Sequence, residues 1–541
     1  MEGKTGSSNL LTHPRLKGTE NMEKLNTVTI TGRSLTTEEV KAVARDYAKV
    51  IIGKEATDKC IRGYKILQEK INKKEKIYGV TTGFGEFSQV FIDPQKAAQL
   101  QLNLILSHST GVGDPAKEDV VRATMLCRAN YLASGMSGGR PVLLETLAEM
   151  VNKKVTPLIL EQGSVGSSGD LAPLAMMTLP MLGLGEAFYQ GKRMTGKLAM
   201  KKAGIPIIKL QAKEGLALIN GDTFMVGLGA LELYDALQLA KMSEISCAMT
   251  MEAIEVVLQA MDDKIARARR FEGQRIAAKN LRKLMEKSEI LAGPPARVQD
   301  FYSIRCAPVI LGASRESLLW VKRQFETEMN AAQDNPLVFP DSNEVLSGGN
   351  FHGQPICMPL ETMAQAIQEY ANASEIRQER MNNPYYSKIL PAFLIESGGL
   401  NSGFMMPQYA AAALVNENKI LCYPGIVDSI PVSAGQEDDC SMGTNAALKI
   451  QRIIRNTQYV LAIELMLGCQ ALDFKKGKKP GLGIKVAYDL IRQEVPYIKR
   501  DKIMYKYVEK IKELIKSEKL RKAVEREIGT LEEPNSYLLP K

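Results

Sequence analysis

The sequence predicts a mainly α protein with a long central bundle of helices. Helical spacing of apolar residues dominates the chain, and strand-like runs are few and short. Between residues 225 and 470, long helical patterns are separated by loops rich in Gly, Pro and Asn. Loops held by a rigid scaffold are frequent positions for functional residues. We therefore expect the chemistry of this protein on the loops that connect its helices.

The elements follow in order from the amino terminus. Residues 1–26 are polar and predict a flexible leader, and residues 27–30 predict a short strand. Thr36 or Thr37 can cap a helix over residues 40–47, with acidic residues in its first turn. We divide the rest into a smaller N-terminal domain (27–224), a central long-helix bundle (225–475) and a C-terminal helical segment (476–541). Further helices are predicted over 97–107, 117–134, 141–152, 225–258 and 314–332.

Composition excludes several classes of function. The net charge is +9, but the basic stretch 502–526 alternates Lys with Glu at helical spacing, as a solvated helix face does. We therefore expect no nucleic-acid partner. The eight cysteines are scattered without C-x-x-C spacing, which predicts free thiols in a cytoplasmic protein and no metal site. The sequence also predicts neither a secretory signal nor a membrane span.

One loop carries an unusual string, Gly-Ser-Val-Gly-Ser-Ser-Gly-Asp-Leu-Ala-Pro-Leu, over residues 163–174. Its three glycines predict tight or left-handed turns, and Asp170 with Pro173 predicts the start of a helix. A phosphate-binding loop is disfavoured because Gly-Lys-Ser/Thr and a surrounding βαβ pattern are both missing, so no nucleotide is expected. Ser-Ser-Gly alone would be an ordinary turn, but the twelve-residue string is far more specific.

Other separated segments complete a pattern. They are Tyr-Gly-Val-Thr-Thr-Gly-Phe-Gly at 78–85, Glu-Gly-Leu-Ala-Leu-Ile-Asn-Gly at 214–221, Tyr-Ser-Ile-Arg-Cys at 302–306, Asp-Asn-Pro-Leu at 334–337, Asn-Phe-His-Gly-Gln-Pro at 350–355 and Gln-Glu-Asp at 436–438. With the 163–174 string, the chain resembles the aromatic amino acid ammonia-lyases and 2,3-aminomutases from about residue 30 to about residue 490. One departure is Asp222, where the family more commonly has Thr.

The resemblance implies a cofactor made from the chain itself. In that family an Ala-Ser-Gly tripeptide cyclises to 4-methylidene-imidazol-5-one (MIO). Here the nitrogen of Gly169 would attack the carbonyl of Ser167, and Ser168 would lose its hydroxyl to become the methylidene. Ser167 replaces the usual Ala, and we expect this position to need only a small side chain. The resemblance also implies an ammonia-lyase-like (fumarase/aspartase-type) fold with an N-terminal MIO-bearing domain, and a homotetramer with shared active sites.

The same resemblance assigns roles to the site residues. Tyr78 would remove the β-proton of the substrate, and the planar guanidinium of Arg305 would hold its carboxylate. Asn220 and Tyr302 would polarise the MIO carbonyl and bind the amine. The catalytic set is Tyr78, Ser167, Ser168, Gly169, Asn220 and Tyr302, and the substrate-binding set is His108, Glu86, Gln299, Arg305, Phe351 and Glu437.

The motifs disagree on the substrate. His108 disfavours a plain phenyl ring, because its polar group would lose a hydrogen bond, but it fits both tyrosine and histidine members. Thr81-Thr82, Glu86 and residues 352–354 resemble tyrosine aminomutases. Glu437 resembles histidine ammonia-lyases, although those carry His where this chain has Asp439.

On this balance we predict a tyrosine 2,3-aminomutase, which converts L-tyrosine to β-tyrosine with a coumarate-forming ammonia-lyase side activity. One alternative is a histidine ammonia-lyase, which forms urocanate. The other is a non-catalytic paralogue that keeps the fold and leaves the Ser167-Ser168-Gly169 tripeptide uncyclised.

Overall fold

The computed structural model describes residues 25–295, 297–475 and 477–534. The predicted leader lies outside the described residues except for its last two positions. Within the described ranges the chain is mainly helical, as predicted, and its strands form four small sheets.

The N-terminal part combines short helices with most of the strands. Its helices are α1 (Thr37–Arg45), α2 (Lys54–Asn72), α3 (Ala97–His108), α4 (Glu118–Leu132), α5 (Pro141–Asn152), α6 (Leu171–Thr178), α7 (Gly196–Ala203) and α8 (Glu214–Ile219). Its strands are β1 (Thr27–Ile30), β2 (Lys49–Ile52), β3 (Val112–Pro115), β4 (Thr156–Pro157), β5 (Leu160–Gln162), β6 (Glu186–Tyr189) and β7 (Lys192–Thr195). β1 pairs in parallel with β2, β3 pairs antiparallel with β5, and β4, β6 and β7 form an antiparallel sheet.

Long helices form the centre of the molecule. They are α9 (Thr223–Ala253), α13 (Ala307–Glu328), α14 (Gln354–Asn382) and α17 (Gly443–Asp473), which pack against one another. Around them lie α10 (Asp263–Arg269), α11 (Glu272–Leu284), α12 (Tyr302–Arg305), the hairpin of β8 (Leu337–Phe339) and β9 (Glu344–Leu346), α15 (Pro384–Ser387), α16 (Met405–Leu421), α18 (Leu482–Glu494), α19 (Tyr505–Lys516) and α20 (Lys519–Ile528).

Local sequence signals predicted several elements closely. The predicted strand at 27–30 and the predicted helix at 141–152 have the bounds of β1 and α5. Thr36 caps α1 through a capping box, in which its hydroxyl accepts from the Glu39 N–H and the Glu39 carboxylate accepts from the Thr36 N–H. The predicted helix at 314–332 begins earlier, at Ala307, and ends at Glu328.

The helix predicted over residues 225–258 is α9, which ends earlier, at Ala253, and is not amphipathic. Nearly every residue of this helix is buried, and its burial extends around all faces. It tolerates charged residues because other helices neutralise them: Arg315 of α13 donates to both carboxylate oxygens of Glu244, at 2.7 and 2.8 Å. A helix buried on all sides has no polar stripe from which its neighbours could be predicted.

Among the described residues, no helix is long and apolar enough to cross a membrane. The predicted division at residues 224 and 475 remains a prediction.

Candidate active site

The Ser167-Ser168-Gly169 tripeptide lies in a tightly folded loop between β5 and α6. Gly166 and Gly169 both have positive φ, 75° and 72°, which favours glycine. A Cβ atom on Gly169 would lie 2.0 Å from the carbonyl carbon of Gly221, so no other residue fits without movement of the backbone. Gly169 is therefore required by the close approach of this loop to Gly221.

Two long helices hold this loop from the other side. The N–H of Met442, just before α17, donates to the carbonyl of Val165 at 2.9 Å. The Ser441 hydroxyl and the Gly353 N–H, just before α14, both donate to the carbonyl of Gly166 at 3.1 Å. The starts of the bundle helices thus fix the position of the tripeptide.

The carbonyl of Ser168 faces two donors from the 214–221 segment. The Gly221 N–H donates to it at 3.2 Å, and the side-chain amide of Asn220 donates to it at 3.3 Å. The oxygen of the same amide is buried, and no described residue hydrogen-bonds to it. The structure therefore brings Asn220 to the tripeptide, where its N–H can polarise the carbonyl.

Asp170, which the sequence suggested only as a helix start, links three helices below the tripeptide. Its buried carboxylate accepts from the hydroxyls of Ser164 (2.8 Å) and Thr444 (2.6 Å) and from the N–H groups of Phe224 (3.0 Å) and Met225 (2.8 Å). Burial raises the pKa of Asp170, and these four hydrogen bonds oppose the shift. The carboxylate thereby caps α9 and ties α6 to α17.

Arg128 is a second structural residue, and no sequence motif pointed to it. It is fully buried in α4, where burial lowers its pKa. It donates to the backbone carbonyls of Asn220 (2.9 Å), Ala217 (3.3 Å) and Gln333 (3.4 Å) and to the Thr223 hydroxyl (3.2 Å). Arg128 thus fixes the backbone that presents the Asn220 amide to Ser168.

Glu437 and His108 lie on the other side of the tripeptide. The Ser167 hydroxyl donates to the Glu437 carboxylate. The His108 imidazole contacts the Ser107 hydroxyl through Nδ1 at 3.0 Å. Burial lowers the pKa of His108, and the negative charge of Glu437 partly offsets this by raising it. We call these three side chains the polar edge of the site: Ser167 and Glu437 are hydrogen-bonded, and His108 lies within electrostatic range of Glu437.

Tyr78 and Glu86 lie on a turn next to this edge. The Gly85 N–H donates to the Tyr78 oxygen at 3.1 Å, and the ring of Phe84 packs edge-on against the Tyr78 ring. The short 3₁₀ turn Gly85–Gln89 packs against the turn Ser433–Gly435, which directly precedes the Gln436-Glu437 segment. Glu86 is exposed on this turn.

Three predicted site residues lie together elsewhere. Arg305 donates to the Gln299 side-chain oxygen, and its guanidinium lies 4.9 Å from the centre of the Tyr302 ring. Gln299 and Arg305 line a cavity of about 410 Å³. Tyr302 is 71% exposed. Within the described ranges of this one chain, none of the three hydrogen-bonds to the tripeptide or to Asn220.

Phe351 is half-buried two residues before Gly353, which binds the tripeptide loop. The next residue, His352, contacts the carbonyl of Asp439 through Nε2 at 3.1 Å. The segment 350–355 thus joins the tripeptide loop to the segment that carries Glu437.

These residues fit the cofactor that the sequence suggested. The side chains of Ser167 and Ser168 are small, Gly169 leaves no room for a Cβ atom, and two N–H donors face the carbonyl that ring closure would retain. In the part of the chain that the structure describes, no group of three or more His, Cys, Asp or Glu side chains is arranged to hold a metal ion.

Comparison with known proteins agrees with the fold and identifies the family. The family described as aromatic amino acid lyase matches residues 35–493. The histidine ammonia-lyase of Alkaliphilus metalliredigens is 49% identical over 505 residues, which cover 93% of this chain and 99% of that protein. The crystal structure of histidine ammonia-lyase from Trypanosoma cruzi has a TM-score of 0.86 at 36% identity and covers 94% of this chain and 99% of its own. Tyrosine aminomutase from Streptomyces globisporus has a TM-score of 0.89 at 34% identity, with coverage of 93% and 99%.

The helical fold and the cyclisable tripeptide define the class of this protein, a MIO-dependent carbon–nitrogen lyase. The chain belongs to the aromatic amino acid lyase family.

The prediction of a tyrosine 2,3-aminomutase was wrong. Seven further relatives named histidine ammonia-lyase share 46–50% of their residues with the chain, whereas tyrosine aminomutase shares 34%. Thr81 and Thr82 were poor indicators of the substrate because their hydroxyls have a structural role. They accept from the N–H groups of Ile77 (2.8 Å) and Gly79 (3.2 Å) and so shape the turn that carries Tyr78. Glu437 is the residue whose motif resembled histidine ammonia-lyases.

Proposed function

We propose that this protein is a histidine ammonia-lyase, which breaks the Cα–N bond and one Cβ–H bond of histidine and releases ammonia and urocanate. The relatives named above support this substrate. Because neither redox change nor a second substrate is involved, the residues must only bind histidine, take its amine and move one proton.

The observation that carries the proposal is the polar edge formed by Glu437, Ser167 and His108. A carboxylate next to the tripeptide can accept a hydrogen bond from an imidazolium or ammonium group, and a phenol ring offers it only one O–H. The charge of Glu437 also acts on His108 by raising its pKa, so the two groups lie within electrostatic range of each other. This edge suits a cationic or heteroaromatic substrate better than a plain ring.

In this reaction each residue of the site would have a distinct catalytic role. The methylidene carbon derived from Ser168 would supply an electrophile for the substrate amine. Tyr78 would take the β-proton, and the Gly85 N–H that donates to its oxygen would stabilise negative charge there. Asn220 and the Gly221 N–H would withdraw electron density through the Ser168 carbonyl.

We also propose a homotetramer in which neighbouring chains complete each site. Tyr302, Gln299 and Arg305 lie apart from the tripeptide within one chain, so a second chain must supply them if they bind the substrate. Large apolar side chains are exposed near them and on the bundle, as interfaces between subunits require: Val298 (93%), Tyr302 (71%), Tyr385 (85%) and Leu400 (87%).

Product analysis tests the substrate. Purified enzyme is incubated separately with histidine, tyrosine and phenylalanine, and ammonia, urocanate, coumarate and β-amino acids are quantified. We expect urocanate and ammonia in equal amounts from histidine, with at least about a hundredfold lower kcat/KM for the other two. Histidine left unchanged while tyrosine or phenylalanine is consumed would refute the proposal.

A Tyr78→Phe variant tests the proton acceptor. The ring and its contact with Phe84 remain, but the oxygen that accepts from Gly85 is lost. We expect kcat to fall by at least about a hundredfold, the contribution typical of a general base, while the near-ultraviolet MIO absorbance is unchanged. Phe84→Leu serves as the matched control, since it removes the ring contact and keeps the phenol. Wild-type turnover in Tyr78→Phe would assign proton removal to another group.

A further inference from the structure

Ser167 carries a hydroxyl that cofactor formation does not use. Ring closure takes the carbonyl carbon of this residue, and its side chain remains outside the ring. Alanine, the usual residue of the family at this position, would form the same ring without the hydroxyl. The hydroxyl is therefore free to have a role other than cofactor formation.

We propose that the Ser167 hydroxyl is a positioning group, which holds the Glu437 carboxylate against the MIO ring in the geometry needed for substrate binding. This inference rests on the proposed ammonia-lyase function, because it assigns Glu437 to the substrate site. It adds Ser167, through its side chain, to the residues that determine how the substrate is held.

The contacts of Glu437 support this role. Ser167 is buried, at 4% exposure, and it donates to the Glu437 carboxylate across a separation of 270 residues. Among the described residues, no other hydrogen bond or ion pair to that carboxylate is present. A hydrogen bond to a carboxylate is shorter and stronger than one between neutral groups. Ser167 is thus the group that restricts the rotation of the Glu437 side chain.

The backbone around Glu437 does not restrict it strongly. Glu437 pairs with Val432 through two backbone hydrogen bonds, at 2.9 and 3.3 Å, which close a short turn. The residues of this turn, 432–436, are largely exposed. A half-buried carboxylate at the end of an exposed turn would take several rotamers without a fixed donor. The buried serine supplies that donor from the rigid side of the site.

The position of the carboxylate also affects His108. The charge of Glu437 raises the pKa of His108 against the effect of burial, so the two groups interact electrostatically. If the Ser167 hydroxyl no longer holds the Glu437 carboxylate, the carboxylate changes position. Its hydrogen bonds to the substrate and its electrostatic effect on His108 then change together. We therefore expect the hydroxyl to affect substrate affinity as well as turnover.

A double-mutant cycle tests the proposal. The variants are Ser167→Ala, Glu437→Met and both together, with Ser167→Thr to restore a hydroxyl; methionine keeps the length of the side chain and removes the acceptor. We expect Ser167→Ala to keep full MIO absorbance and to lower kcat/KM about tenfold, the effect typical of one lost hydrogen bond to a charged group. In the Glu437→Met background, where the hydroxyl has lost its acceptor, the same change should cost less than about twofold. Ser167→Thr should recover most of the loss.

A binding measurement adds a readout apart from turnover. The affinity for the unsaturated acid product, measured by calorimetry, should fall several-fold in Ser167→Ala and not further in the double variant. Ser164→Ala is the matched control: it removes another buried hydroxyl of the same loop, which binds Asp170, and its effect should be the same with either residue at position 437.

The cycle uses whichever amino acid the unmodified enzyme deaminates, so failure of histidine as the substrate leaves this test intact. Equal losses from Ser167→Ala in both backgrounds would overturn the proposal. Loss of the MIO absorbance in Ser167→Ala would also overturn it, because the hydroxyl would then act in ring formation.

Discussion

A Ser168→Ala variant should lose at least about a thousandfold in kcat while the protein remains folded. Alanine has no hydroxyl to eliminate, so the methylidene carbon cannot form. The contacts that hold the loop are made by backbone atoms: the Ser168 carbonyl accepts from Gly221 and Asn220, and the Gly166 carbonyl accepts from Gly353 and Ser441. Alanine preserves all of them, so the melting temperature should change little.

Three measurements together test this prediction. Ammonia release gives the turnover, near-ultraviolet absorbance detects the cofactor, and intact mass detects the two waters that cyclisation removes. The wild-type chain should show the mass loss, and Ser168→Ala should not. A variant that keeps both absorbance and turnover would show that another residue supplies the electrophile. A wild-type chain of full mass would instead favour the non-catalytic paralogue.

The sequence was most informative where a structural element depends on its own residues. The capping box at Thr36 and the proline at the start of α5 specify helix starts locally, and both helices begin where expected. The glycines of the tripeptide loop were also predicted as turn positions, and Gly166 and Gly169 have positive φ. By contrast, α9 was predicted as a helix, but its burial on all sides was not, because that burial depends on the helices packed around it.

The candidate site was likewise predicted only in part from the sequence. Motif residues from distant segments were expected to meet, and Asn220 does lie against Ser168. Asp170 and Arg128 were missed as supporting residues, because their importance follows from hydrogen bonds to segments far away in the chain. The substrate was predicted wrongly because Thr81 and Thr82 shape a turn, and Glu86 is exposed beside it. A residue pattern does not distinguish such structural roles from contacts to a substrate.

Two buried aspartates close to the tripeptide differ sharply in their surroundings. Asp170 accepts four hydrogen bonds, whereas neither carboxylate oxygen of Asp222 has a hydrogen-bond partner among the described residues. The positive charge of Arg128 lowers the pKa of Asp222, but the hydrogen bonds that Arg128 donates go to other oxygens. Burial therefore raises the pKa of Asp222 well above its usual range, and the nearby charges of Glu328 and Asp170 raise it further.

Asp222→Asn should stabilise the protein at neutral and alkaline pH by at least about 1 kcal/mol. In the unfolded chain Asp222 ionises near pH 3.9, while in the folded protein it stays protonated to much higher pH. Its contribution to stability is thus complete below the unfolded pKa and is lost as the pH rises through the folded pKa. Asparagine is neutral throughout, so the advantage of the variant should be small near pH 4 and grow with pH.

Melting temperatures of the wild type, Asp222→Asn and Asp170→Asn, measured from about pH 5 to pH 9, check this expectation. Asp170→Asn is the matched control and should destabilise the protein by about 1–3 kcal/mol, because an amide N–H replaces an oxygen that accepts two hydrogen bonds. If the two substitutions change the melting temperature in opposite directions, the number of hydrogen bonds to each carboxylate, and not burial alone, determines whether that carboxylate stabilises the fold. If Asp222→Asn lowers the melting temperature by the same amount at every pH, the Asp222 carboxylate is ionised and paired in the folded protein.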